Sequence, residues 1–271
     1  MFAQEQLEKD LRQLGLTSGD MVYVHTSLRA IGKIDGGADT LINAFLNVLG
    51  PNGTIAVPTH TLSFVGLGKP PHTPDTPTML GTFPEVLRKR PEAQRSGHAS
   101  HATAAIGKHA KTLTENHDPC NALGIHSPIY RLWQMNGKIL LLGVTHKVNT
   151  SIHLAESLAK MPYVCLHYDA SWGEAVHELL PDGTIKEHIQ VEFSACSGVY
   201  NKVQPLLEAK GQSSIGKIGN ATSYLMKSQD LVSQAMELLE KDNAALLCDE
   251  DNCPSCPARK ELLATLSKFS W

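Results

Sequence analysis

No apolar run among the 271 residues approaches the roughly 20 that a membrane-spanning helix requires. The opening stretch "MFAQEQLEKDLRQLG" is polar and amphipathic rather than a targeting leader. A basic stripe is missing too: 24 Lys and Arg stand against 27 Asp and Glu, for a formal net charge of -3. That balance argues against nucleic acid as the main partner. With no membrane or leader signal, a cytoplasmic location is expected, and the six cysteines are expected to be reduced rather than bridged. Nor does an internal repeat, a linker or a low-complexity segment divide the chain. What is present, a 42% apolar content, can support a packed core. The expectation is one α/β domain over residues 1–271, a central mixed β-sheet flanked by helices.

The pattern along the chain fills in that outline. "EQLEKDLRQLG" reads as a helix ending at Gly15, and "MVYVH" as a short buried strand leading into "TSLRAIG". After Gly36 and Gly37, "ADTLINAFLNVLG" reads as a helix capped by Asp39 or Thr40, with Leu41, Ala44, Phe45, Val48 and Leu49 on its buried side. "GTIAVPT" is a second strand, which makes the first 60 residues a βαβ unit. Residues 60–80 hold four of the 15 prolines and two glycines, a long loop of the kind that serves a site or a lid. Thr82 and Glu85 in "GTFPEVLRKR" have the spacing of a capping box at the next helix start, with Pro84 in the first turn. "HATAAIG" reads as a strand, "KHAKTLTEN" and "PIYRLWQMN" as helices, and Asn136-Gly137 as a turn into the strand "KILLLGV". The segment from "YVCLHYDASWG" to "QVEFSACSG", with its Asp-Gly turn, reads as antiparallel.

Chemistry concentrates in "LLLGVTHKVNTSIHLAE". Asn149 or Thr150 can cap the helix after the strand, placing His153 in its first turn, where the helix dipole disfavours a second positive charge. Glu156 is three residues on, on the same face. A neutral imidazole oriented by a carboxylate is a general base. A competing reading has His146, His153 and Glu156 meeting one metal ion, although H-x6-H-x2-E follows no familiar zinc spacing and Lys147 lies between. Two other stretches suit an anionic ligand: Thr26, Ser27 and Arg29 at the end of the first strand, and the helix start at Gly81 and Thr82. "RSGHASHATAAIG" adds Arg95, His98, Ser100 and His101 just before a strand. In "CDEDNCPSCPARK", Cys248, Cys253 and Cys256 read as a reduced, partly buried thiol cluster; the alternative is a zinc site, whose fourth ligand is absent locally and could come from Cys196 or a histidine.

Taken in order, "VHTSLRAIG", "GGADTLINAF", "GPNGTIAVPT", "TPTMLGTFPEVLRKRP", "RSGHASHATAAIG", "SPIYRL", "GKILLLGVTHKVNTSIHLAE" and "MPY" resemble the aminoglycoside 3-N-acetyltransferase family, from about residue 10 to the C-terminal "CPSCPAR". The resemblance implies that family's mixed-sheet fold rather than the small common acetyltransferase fold. It implies transfer of an acetyl group from acetyl-CoA to a primary amine of a small molecule, most directly the 3-amino group of an aminoglycoside, by a monomer or homodimer without a metal cofactor. His153 would be the general base and Glu156 its neighbour. Thr26, Ser27, Leu28 and Arg29, with Met79, Gly81 and Thr82, would line the coenzyme site. Arg95, His98 and Ser100 would stand near the cofactor or the acetyl group. Two departures from the family pattern bear on the acceptor. Lys147 stands where members acting on aminoglycosides commonly carry an aspartate, and "SACSGVY" follows "QVEF" where they often carry an acidic, histidine-containing run. A polycationic acceptor calls for an acidic pocket, so a different amine remains open, as does a metal-dependent amidohydrolase.

Overall fold

Runs such as "TIAVP" and "KILLL" lack polar alternation, and strands of that kind need cover on both faces. The computed structural model, which describes residues 1–61, 71–166, 175–189 and 195–268, provides it. Among the described residues the strands are β1 (Met21–Thr26), β2 (Thr54–Pro58), β3 (Gln94–Arg95), β4 (Thr103–Gly107), β5 (Lys138–Leu142), β6 (Ala175–Leu179), β7 (Ile185–Ile189), β8 (Ser213–Ile218) and β9 (Ala221–Lys227). The helices are α1 (Gln4–Leu14), α2 (Leu28–Ile31), α3 (Gly37–Leu49), α4 (Thr82–Lys89), α5 (Ala110–Thr114), α6 (Pro128–Gln134), α7 (His153–Leu158), α8 (Gln204–Ala209), α9 (Ser228–Lys241) and α10 (Cys256–Leu266). Seven strands form one mixed sheet in the order β3-β4-β2-β1-β5-β9-β8, and β6 and β7 form a separate antiparallel pair. This is the mixed-sheet α/β architecture expected from the sequence.

The two faces of the sheet explain the continuous hydrophobicity of its centre. Val22, Val24, Ile55, Val57, Leu140 and Leu142 point to one side, against Leu7 and Leu11 of α1, Leu41 and Phe45 of α3, and Phe83 and Leu87 of α4. Tyr23, Ile139 and Leu141 point to the other, against Ile129 and Leu132 of α6, Leu154 of α7 and Leu231 of α9. In the middle, β1 pairs in parallel with β2 on one side and β5 on the other, Val22 opposite Ile55 and Val24 opposite Leu140. All three strands therefore deliver their carboxyl ends to the same edge of the sheet.

Three local expectations change. The helix α3 begins after Gly36, whose φ is 74°; no side chain caps it, and Asp39 sits within the first turn, accepting from Arg90 Nη2 at 2.7 Å. The capping box at Thr82 and Glu85 is not formed either. Gly81, with φ at 95°, is the cap, and the Glu85 carboxylate accepts from Arg88 Nε at 2.7 Å and from the Thr78 amide at 3.0 Å. A guanidinium three residues on outcompetes a neutral amide for a carboxylate. Burial raises the Glu85 pKa, but the bonds from Arg88, Lys89 and Thr78 prevail and hold it at about 2. Finally, "YVC" belongs to a 3-10 turn, Pro162–Cys165, because a proline in the first position sets a helical φ. The antiparallel expectation holds for β6 and β7, which meet around Asp182 and Gly183; residues 167–174 and 190–194 of that segment lie outside the described residues. Among the described residues no helix is long and apolar enough to cross a membrane.

Candidate active site

Where β1, β2 and β5 end, ligands of α/β sheets commonly bind, outside the carboxyl edge of the parallel strands. Here a cleft of about 330 Å³ opens at that edge. Val24, His25 and Thr26 of β1 form part of its wall, Pro58 and His60 follow from β2, and Val144, Lys147 and Thr150 from the turn after β5. Gly143 makes that turn possible: its φ is 68°, and a Cβ there would come within 2.5 Å of the Ala30 Cβ. Four buried polar atoms of lining residues, His25 Nε2, Thr26 Oγ1, His60 Nε2 and Thr150 Oγ1, have no hydrogen-bond partner among the described residues. Buried groups left unpaired cost about 1 to 3 kcal/mol each. A polar ligand or water in the cleft would relieve that cost.

Beside the cleft, the chain after Thr150 forms a 3-10 turn, Thr150–Ile152, and then α7 with His153 as its first residue. Asn149 caps the turn as expected, its Oδ1 accepting from the Ser151 amide at 3.2 Å. His153 and Glu156 are brought together: Nδ1 lies 2.7 Å from Glu156 Oε2, with His153 8% exposed and Glu156 1%. Two tyrosines complete the arrangement. The Tyr200 hydroxyl lies 2.5 Å from His153 Nδ1 and donates to Glu156 Oε2 at 3.1 Å, and the Tyr163 hydroxyl donates to Oε1 at 3.1 Å. Burial, then the charge of Glu156, pushes both phenol pKa values well up, so each keeps its proton and donates. With the tyrosine protons directed at the carboxylate, the short contact between Nδ1 and Oε2 places the imidazole proton on Nδ1. The lone pair is then on Nε2, which no group among the described residues engages. His153 does not line the cleft itself, but its charge would act on His60, which does, and on His101.

Because Tyr200 touches both members of the pair, its hydroxyl is a positioning group. Where the pair acts as a general base, Tyr200→Phe is expected to lower kcat about 10- to 100-fold, the rate equivalent of about 1 to 3 kcal/mol of lost ordering, while substrate KM changes little. Steady-state kinetics with substrate varied checks this. A rise in KM with kcat unchanged would remove Tyr200 from the positioning role.

Other sequence candidates separate into wall, flank and scaffold. Thr26 is on the wall. Ser27 caps the one-turn α2, accepting from the Ala30 amide at 3.4 Å, Leu28 packs against the core and Arg29 is exposed. Met79, Gly81 and Thr82 are exposed on the flank, where Leu80 and Pro84 are the residues that reach the cleft. The His60 carbonyl accepts from the Met79 amide and from Thr78 Oγ1, both at 2.9 Å, which ties this flank to the end of β2. Arg95 spends its guanidinium on the protein: Nη1 donates to the carbonyls of Pro74 and Thr76 at 2.8 and 2.7 Å, Nη2 to that of Thr59 at 3.0 Å, and Nε to Thr59 Oγ1. It braces the proline-rich loop rather than facing open space. His98 is wholly buried, with Nδ1 accepting from the amides of Ser100 and His101 at 3.2 and 3.0 Å, and Ser100 Oγ lies 2.8 Å from His101 Nδ1. Arg95, His98 and Ser100 therefore stand behind the cleft wall.

His146 does not join His153 and Glu156. Asn149 Nδ2 donates to its Nδ1 at 3.1 Å, and its Nε2 lies 2.8 Å from Gln204 Oε1. Among the described residues these three side chains form no metal-ligand group. The residues unforeseen in the sequence are Tyr163, Tyr200, His25, His60 and Thr150. Both tyrosines lie within stretches that stand out for other reasons, "MPY" and "SACSGVY", where nothing local shows that either approaches Glu156.

Known proteins share this sequence pattern and fold. The sequence matches the family described as aminoglycoside 3-N-acetyltransferase over residues 23–240. It is 32% identical to aminoglycoside N(3)-acetyltransferase IV of Salmonella sp over 245 residues, 89% of this chain and 88% of that one. The fold resembles the crystal structure of a mutant of aminoglycoside acetyltransferase AAC(3)-IVa in complex with a gentamicin, with a TM-score of 0.83 and 30% identity over 96% of this chain and 97% of that one. It also resembles AAC-IIIb in a binary complex with CoASH, with a TM-score of 0.75 and 26% identity over 89% and 97%. A match across most of the chain, the mixed sheet and the shared fold lead to one conclusion: this chain belongs to the aminoglycoside 3-N-acetyltransferase family.

Proposed function

We propose that the protein transfers the acetyl group of acetyl-CoA to an amino group of a small molecule, the 3-amino group of an aminoglycoside, by direct attack with His153 as general base. The carrying observation is the His153 ring, fixed through Nδ1 by Glu156 and Tyr200, three residues after the cleft-lining Thr150. A protonated amine has no lone pair, so the acceptor first gives one proton to solvent and reacts as the neutral amine, and Nε2 would take a second proton as the nitrogen bonds to the thioester carbon. The C–S bond then breaks, and the proton passes from His153 to the departing thiolate. The oxyanion formed in between needs a donor, and Thr26 and Thr150 have unpaired hydroxyls on the wall. The cleft volume lies at the lower end of the usual range for small-molecule sites and suits a slender arm such as pantetheine. Thr26, with Ser27, Leu28 and Arg29 on one flank and Met79, Gly81 and Thr82 on the other, would receive the coenzyme. Complexes of family members with CoASH and with a gentamicin support both halves of the reaction.

One observation favours a second acceptor class. Among the described residues the cleft lining holds no carboxylate and one lysine, Lys147. Attraction of a polycation is weak at such a wall. A thiol-release assay with acetyl-CoA decides, using aminoglycosides of several ring types beside unrelated primary amines. Turnover on aminoglycosides supports the first reading. Turnover confined to unrelated amines moves the protein to another substrate within the same chemistry, and no release with any amine contradicts acetyl transfer.

A further inference from the structure

Folding supplies the fourth ligand that the local cysteine spacing lacks. Cys196, in the segment before Tyr200, meets Cys248, Cys253 and Cys256, and the four sulfurs all lie within 4.8 Å of one another. Each of the four is a free cysteine. A tetrahedral ion about 2.3 Å from each sulfur would space them about 3.8 Å apart, within the observed envelope. Backbone amides already face the sulfurs. The Cys256 amide donates to Cys253 Sγ at 3.5 Å, and the amides of Glu250 and Gly198 donate to Cys248 and Cys196. Bonds of this kind favour thiolates, against the Cys256 contact that raises Cys196 and the burial that raises Cys248 while no metal is bound. Arg259 and Lys260 follow Cys256 on the first turns of α10 and would offset the negative charge of a tetrathiolate centre. Four soft ligands in a closed, partly buried set, with no position left for a substrate, have the donor chemistry of a structural zinc centre.

We infer that Cys196, Cys248, Cys253 and Cys256 bind one zinc ion, which clamps the start of α10 to the segment carrying Tyr200 and so steadies the tyrosines around Glu156. The thiols share one small core with Tyr163: Cys248 and Cys256 are buried with it, and Cys196 and Cys253 pack against them. On the other side, the Ser197 hydroxyl donates to the Lys147 carbonyl, which joins this segment to the cleft loop. The centre therefore adjoins the elements that carry both hydroxyls holding the Glu156 carboxylate. Zinc binding displaces thiol protons, forms four Zn–S bonds and requires no oxidant.

Metal content and thermal unfolding test the inference independently of acetyl transfer. Protein expressed with zinc in the medium and purified under reductant is expected to contain one zinc per chain by elemental analysis. Cys253→Ser is expected to lose it, and Cys120→Ser, far from the cluster in sequence, to keep it. Stripping zinc from folded wild-type protein should lower Tm, and adding zinc should restore it; this arm holds even if Cys253→Ser fails to fold. No zinc, iron in its place, a disulfide between these cysteines in the reduced preparation, or an unchanged Tm after stripping would each overturn the inference. If the enzyme reading of His153 failed, the stoichiometry would still stand.

Discussion

His153→Ala is expected to lower kcat by about 10²- to 10⁴-fold and to leave acetyl-CoA affinity largely intact. The asymmetry follows from position. The ring packs against Tyr200 with centroids 5.0 Å apart and keeps Nδ1 on the Glu156 carboxylate, while the cleft wall is formed by other residues. Its removal takes away the acceptor for the amine proton without removing Thr26, Leu80 or Pro84 from the wall. The companion measurement is equilibrium binding of acetyl-CoA to the variant. Equal losses of affinity and rate would make His153 a binding residue, and unchanged turnover would end its role as base.

Acidification is expected to unfold the protein steeply between pH 6.5 and 4. Burial above all depresses the histidines on and behind the cleft wall: His25 and His101 to about 3, His117 to about 4, and His60 and His98 well below the ordinary value. In the unfolded chain each titrates near 6.5. Below that pH the unfolded state binds protons that the folded state refuses, so stability is fully present above pH 6.5 and falls as the pH drops toward the folded values. At pH 5.5 each such histidine costs about 1.4 kcal/mol, and the five together cost on the order of 7 kcal/mol, comparable with the 5 to 15 kcal/mol of a whole domain. The groups that face one another there include His60 with His101, His25, His117 and His153, and His98 with His117 and His72; Arg131 adds positive charge at His117, partly countered by Asp118. Urea unfolding at pH 7.5 and 5.5 should show the midpoint dropping by half or more at similar m. A flat midpoint would mean that these rings reach solvent.

Much of the fold was legible because the signals were local and redundant. β5 could be read from "KILLL", bounded by an Asn-Gly turn, and α1 from its apolar stripe closed by Gly15, which adopts a left-handed φ of 116°. The helix caps were less so. Asp39 and Glu85 had cap-like spacing, but Arg90 and Arg88 offered charged partners whose competition the spacing does not record. In the site, His153 and Glu156 were legible because three helical residues place them on one face. Tyr200 was not, since it reaches its partners across more than 40 residues of chain, and Cys196 could be named only as one candidate beside the histidines, because its partner Cys256 is 60 residues on. The same limit applied to the anion-binding expectation at Arg95, whose guanidinium is taken up by Thr59, Pro74 and Thr76, carbonyls that only the folded loop brings near.

The most direct test of the central claim is the protonation pattern of the His153 ring at the pH of maximal turnover. Nitrogen-15 NMR of protein labelled at histidine, with the His153 signals identified by their loss in His153→Ala, reads it. The geometry predicts a protonated, pyrrole-type Nδ1 and an unprotonated, pyridine-type Nε2. A proton found on Nε2, with Nδ1 bare, would leave no base aimed outward and would contradict the account.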